Sequence, residues 1–155
     1  MALVAPVFFD TSVLLGGSIE MGKRGAAAHS LLDAVASGKI RHAHTAWHCC
    51  LEFFAVATRL PAQLRLTPTD AVRLLKAEIL TRYRVHQLPA NARLGFFRDA
   101  QSEHVAGGRI YDSHIAEIAR RAGSRTVLTD NRRHFTVLLR HGIRVLTASE
   151  AVAEL

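Results

Sequence analysis

The chain has 155 residues, 49% of them hydrophobic, which fits one domain able to bury a sizeable core without help from disulfides. Twenty Lys plus Arg against thirteen Asp plus Glu give a net charge of +7, and 17 of the basic residues are Arg, the side chain best shaped for paired contacts with phosphate oxygens. A disulfide scaffold is therefore excluded and a polyanionic partner favoured, although the arginines are scattered and form no dense basic block.

The opening segment MALVAPVFFD has no positively charged leader and no long apolar run before Asp10. A signal peptide or membrane span is not expected, and the cytoplasm is the expected location. Residues 3–9 read as a buried strand that ends at Asp10. DTSVLLGGS follows as a polar, then glycine-rich stretch. Residues 24–37 carry helical spacing with Gly38 as a stop, and a short strand is expected over 40–44.

Thr45 is expected to cap a helix over 46–60, closed by Pro61. Within it, Cys49 and Cys50 are adjacent, a spacing that strains a mutual disulfide, so they read as core residues. His48 beside them lacks a second ligand pair at zinc-finger spacing. Thr67, Pro68 and Asp70 open a further helix reaching about Tyr83. A strand over 84–88 leads to Pro89, which starts a helix that fades near Gly107 and Gly108. Residues 110–122 are helical again and 125–128 form a strand; a helix over 133–140 stops at Gly142, and 143–146 is the last strand. Five strands alternating with helices predict the α/β class, with a parallel sheet covered on both faces and no linker that would divide residues 1–155.

Four acidic positions stand out against this frame. Asp10 ends a buried strand, where open α/β sheets place their ligand crevice. Glu52 is the only acid in AWHCCLEFFAVATR and shares a helix face with Cys49, Ala55 and Val56, so a cation must lie near it, with His48 and Arg59 within reach. Asp112 opens the helix in RIYDSHIAEIARRAG on the covered side, beside Ile115, Ala116 and Ala119. Asp130 and Asn131 follow the strand at 125–128, again at a carboxyl end. A helix cap, an ion pair, the helix dipole and a turn would account for the four one at a time. Together they converge on one rim, where clustered carboxylates repel or take up protons unless a cation holds them. Donors that are all oxygen suit Mg²⁺ or Mn²⁺ over zinc.

The segments VFFDTSVLL, the isolated Glu52, IYDSHIAEIAR and VLTDNRRHF resemble, in order and spacing, the motifs of PIN-domain nucleases, and look closest to VapC-type toxins. The resemblance spans nearly the whole chain. It implies a three-layer α/β/α sandwich with a central, mostly parallel sheet, a Mg²⁺ or Mn²⁺ site, and RNA cleavage by metal-activated water. It also implies a homodimer and a VapB-like antitoxin whose C-terminal segment occupies the active-site groove. Asp10, Glu52 and Asp112 fall on the family's first three acidic positions, with Asp10, Asp112 and Asp130 as metal ligands and Glu52 acting on the attacking water. Thr11 or Ser12 would support a metal-associated water. At the fourth position Thr129 is followed by Asp130 and then Asn131: strict spacing chooses Asn131, charge favours Asp130. Some relatives place an Asp just before the Phe of this motif, where His134 stands here. Arg109, Arg132 and Arg133 flank the site as candidate RNA contacts.

Two rival readings differ in testable ways. A haloacid-type phosphatase needs a second Asp two residues after the first, where this chain has Ser12, and a receiver domain needs a late Lys, yet none lies beyond Lys76. A catalytically silent PIN-like RNA-binding or interaction domain would not need Asp10, Glu52 and Asp112 together.

Overall fold

The computed structural model describes residues 2–155. Five short strands, β1 Val7–Phe9, β2 Ala43–Ala46, β3 Arg84–His86, β4 Thr126–Leu128 and β5 Arg144–Leu146, form one sheet in the order β3-β2-β1-β4-β5. Every pairing is parallel, with Phe8 opposite His44 on one side and Val127 on the other. Helices cover both faces, which is the three-layer α/β/α arrangement. Val7, Phe8 and Phe9 are buried, as a central strand covered on both faces requires. The chain builds outward from β1 to β3 and then crosses back to place β4 against the free side of β1. That reversal opens a crevice at the carboxyl ends of β1 and β4, the place where such sheets bind ligands.

The glycine-rich stretch after Asp10 is a helix, α1 (Thr11–Ser18), where the sequence had suggested only a polar segment. Two glycines lower its intrinsic propensity, and tertiary packing overrides them. α1 lies against α2 (Ala26–Ala36). A Cβ at Gly17 would stand 2.7 Å from both Leu32 methyls and 2.8 Å from the Ala28 carbonyl oxygen. Gly17→Ala is therefore expected to destabilise the fold by about 1–3 kcal/mol, read as a lower denaturation midpoint in urea.

The second strand lies at 43–46 and not at 40–44, because its register is set by pairing of Ala43 with Val7, which local pattern does not reveal. Thr45 is consequently a strand residue: its hydroxyl donates to the Phe9 carbonyl at 2.8 Å and caps nothing. α3 (Trp47–Ala57) instead has Ala46 as its N-cap, with no side-chain cap bond. α4 (Pro68–Leu74) begins as expected, the Thr67 hydroxyl accepting from the Asp70 N–H, and runs into a π-helical turn at Leu75–Leu80.

Past β3, a 3₁₀ turn at Ala90–Ala92 precedes α5 (Arg93–Ser102), and α6 (Arg109–Arg121) follows. The helix expected over 133–140 is a pair of 3₁₀ turns, Arg132–His134 and Thr136–His141, ended by Gly142 at φ 71°. Such a left-handed stop is open to glycine at little cost. α7 (Ala148–Val152) was not expected from periodicity, yet Thr147 and Glu150 form a complete capping box at its start. Cys49 and Cys50 are free and buried in the core.

Candidate active site

Asp10 leaves β1 at the N-cap position of α1 but makes no side-chain cap bond there. Its Oδ2 instead accepts from the Thr129 hydroxyl at 2.7 Å and the Ser12 hydroxyl at 3.1 Å. The residue is only 5% exposed. Burial pushes its pKa up from 3.8 to about 6, against the hydrogen bonds of Thr129, the Thr11 backbone and Ser12, and the charge of Asp112 raises it further.

Glu52 reaches the same end of the sheet from α3. Its Oε1 accepts from the Thr11 hydroxyl at 3.2 Å and lies 3.4 Å from His48 Nε2, one helical turn away. Burial raises its pKa, the Thr11 bond opposes this, and Asp112 and Arg59 then act in opposite senses. His48 is thus the nearer of the two cationic partners expected from sequence.

Asp112, in the first turn of α6, is gripped through Oδ2 by His134 Nδ1 at 2.5 Å and by the Asn131 amide at 3.2 Å. The Asn131 backbone N–H donates to Thr129 Oγ1 at 3.0 Å, and that hydroxyl is the one holding Asp10. A continuous hydrogen-bonded path therefore runs from Asp112 through Asn131 and Thr129 to Asp10. Asp130 meets the network through its backbone N–H, which donates to Ser12 Oγ at 3.1 Å, while the residue itself is exposed. Between the two candidates for the fourth position, spacing anticipated the contact and charge did not: Asn131 touches Asp112. His134 was the residue missed as a participant, and its signal was its place before Phe135.

The three arginines behave differently from one another. Arg109 is exposed at the first residue of α6, Arg133 is exposed on the turn after β4, and Arg132 is held in an ion pair with Glu150 at 2.7 Å. Beside Glu52, helices α3, α5 and α6 enclose a groove of about 720 Å³, walled by rings that include Trp47, Tyr111 and Phe97.

Among the described residues, no group of three or more His, Cys, Asp or Glu side chains closes up as a ready metal cage. The donor chemistry still fits a hard cation, because Mg²⁺ keeps several waters and needs only one or two carboxylates from the protein. Asp10 is the strongest indication, as a carboxylate this buried loses its penalty for ionising when a cation sits beside it.

No protein-family model matches the chain. Two curated proteins of Mycobacterium tuberculosis do. Ribonuclease VapC27 is 33% identical over 116 residues, 72% of this chain and 74% of its own length, and ribonuclease VapC40 is 31% identical over 130 residues, 84% and 88% of the two chains. The chain belongs to the VapC family of PIN-domain ribonucleases. Solved structures agree on the VapC-type fold. M. tuberculosis VapC20, described as a sarcin-ricin-loop-cleaving toxin, aligns over 78% of this chain and 86% of its own with a TM-score of 0.60 at 17% identity. FitAcB from Neisseria gonorrhoeae aligns over 92% and 98% with a TM-score of 0.60 at 16% identity.

Proposed function

We propose that this VapC-family chain is a Mg²⁺- or Mn²⁺-dependent endoribonuclease, the toxin of a toxin–antitoxin pair. The observation that carries the reading is the joining of Asp10, Thr129, Asn131 and Asp112 in one hydrogen-bonded path, with Glu52 tied to it through Thr11. Asp10 and Asp112 would hold the ion, with Asn131 beside them, and Asp130 would contribute from the exposed side of the turn. When bound, the ion supplies positive charge to the phosphoryl oxygens and lowers the pKa of water.

Glu52 is the base in this scheme. Its raised pKa suits it to orient the attacking water and take its proton, and the Thr11 hydroxyl keeps Oε1 aimed. Thr129 and Ser12 fix the Asp10 carboxylate, while His134 and Asn131 fix Asp112. Arg109 and Arg133, both exposed at the mouth, are placed to meet flanking phosphates, and Arg132 would do so on leaving Glu150.

The relatives are VapC proteins, and the solved neighbours include FitAB bound to a DNA fragment. A cognate VapB-like antitoxin that covers the active-site groove, and a homodimeric toxin, follow from that kinship as part of this proposal. No helix among the described residues is long and apolar enough to cross a membrane, and we place the protein's work in the cytoplasm.

The test is cleavage of a mixed RNA panel by the purified chain with Mn²⁺, with EDTA, and with Mn²⁺ restored. Cleavage is expected only in the first and third, leaving 3′-hydroxyl ends, because water and not the ribose 2′-oxygen attacks. Cleavage undiminished by EDTA, or 2′,3′-cyclic phosphate ends, would overturn the mechanism, and an inert protein would favour the silent binding domain.

A further inference from the structure

The groove between α3, α5 and α6 stands apart from the hydrogen-bonded carboxylates but shares Glu52 as part of its wall. Its other walls are rich in rings. Trp47, Tyr111 and Phe97 are 48%, 58% and 60% exposed, a large apolar display for the surface beside a catalytic centre. Behind them His48 stacks edge-on against Tyr111 with centroids 5.7 Å apart, and His114 packs against both His48 and Phe96. His48 spends one ring nitrogen near Glu52 and the other on His114 Nδ1 at 2.7 Å. His114 Nε2 makes no hydrogen bond among the described residues.

The geometry points to a nucleobase-stacking subsite, in which the groove receives an unpaired base of single-stranded RNA next to the scissile phosphate, between the faces of Trp47 and Tyr111. Three observations select this occupant. Exposed π faces bind bases of any identity, each stacked base contributing substantially to affinity. Glu52 lines the groove, so whatever fills it is continuous with the phosphate at the carboxylates. Arg93 also lines it, giving the sugar-phosphate chain of the occupant a counter-charge. The volume of about 720 Å³ lies within the roughly 300–1,000 Å³ typical of sites that bury a small organic ligand. His114 Nε2 is then free to read a base edge, so some base preference is expected from an otherwise tolerant platform. An antitoxin seated over this groove would exclude the base, coupling inhibition to loss of substrate register.

This subsite rests on the ribonuclease reading, and one experiment separates the two. Trp47 is the only tryptophan in the chain, so its fluorescence reports on the groove directly. The full chain carrying Asp10→Asn is titrated with single-stranded RNA of about ten nucleotides, with the same RNA abasic at each position in turn, and with an apolar peptide. Intact RNA is expected to quench Trp47, and an abasic residue at one position, or Tyr111→Ala in the protein, to weaken binding by about five- to a hundredfold. Tyr111→Phe keeps the ring and is expected to bind normally; in the otherwise wild-type chain, Tyr111→Ala raises KM for cleavage and leaves kcat near its starting value. Cleavage of these RNAs by wild-type protein with Mn²⁺, together with unchanged Trp47 emission or equal binding of abasic RNA, removes the subsite and keeps the nuclease. A response to the peptide alone also overturns it. Neither cleavage nor binding of RNA removes both readings.

Discussion

Asp10→Asn is expected to reduce RNA cleavage on the order of a thousandfold or more while leaving a folded protein. The amide oxygen of Asn can still accept from the Thr129 and Ser12 hydroxyls that hold Asp10 Oδ2, so the local scaffold survives. What disappears is the negative charge that would hold the cation. The same substitution has a second, opposite consequence. In the metal-free protein burial raises the Asp10 pKa from 3.8 to about 6, so between these values the folded state binds the proton more tightly than the unfolded chain does. Stability from this group is therefore complete below about pH 4 and is lost as pH rises through 6. The loss corresponds to roughly 3 kcal/mol at neutral pH. Asn cannot ionise and escapes it. Metal-free Asp10→Asn is thus expected to melt higher than wild type at pH 7.5 and about level with it at pH 4, and saturating Mn²⁺ to narrow the gap by stabilising wild type alone. Full activity of Asp10→Asn would sink the metal site; equal melting at both pH values would sink the account of its burial.

Phe9→Ala is expected to cost about 3–5 kcal/mol, the largest loss of stability proposed for a single side chain here. Phe9 is fully buried in the central strand and meets the ring of Tyr83 edge to face, with centroids 5.1 Å apart and planes at 81°. Truncation removes both the transfer energy of the ring and the aromatic pair, and the paired strands β2 and β4 on either side leave little freedom to collapse the cavity. For a chain of 155 residues this predicts a fall in Tm of roughly 6–20 °C by thermal scanning. Because Asp10 follows directly, cleavage should fall as well, and cooling to well below the new Tm should restore part of it. Phe9→Leu, which keeps most of the apolar volume, should lose much less.

The parallel sheet and its helices were legible because buried strands and turn residues leave local marks: the apolar run ending at Asp10, the Thr67-Pro68-Asp70 start, and the stop at Gly142. Elements whose form depends on distant partners were not. α1 is held by the fit of Gly17 against α2, and β2 takes its register from Val7, so neither shows in local periodicity. Asp10, Glu52 and Asp112 could be picked out because a carboxylate in an apolar context is costly wherever it occurs. The choice between Asp130 and Asn131 could not be made from charge. It depends on which side chain the turn after β4 directs towards Asp112, and that is Asn131. His134 hid for the same reason, since a histidine in a basic turn looks like surface until its partner is known.

The strand carrying Thr129 is the inner neighbour of β1, although well over a hundred residues of chain separate them. During synthesis, a growing polypeptide shorter than this point has Asp10 and Glu52 but nothing to brace them, and Asp112 has neither His134 nor Asn131 to hold its carboxylate. A ribosome translating this message is therefore shielded from its own product until almost the whole chain has emerged, and prematurely released fragments ending before β4 are harmless to the cell.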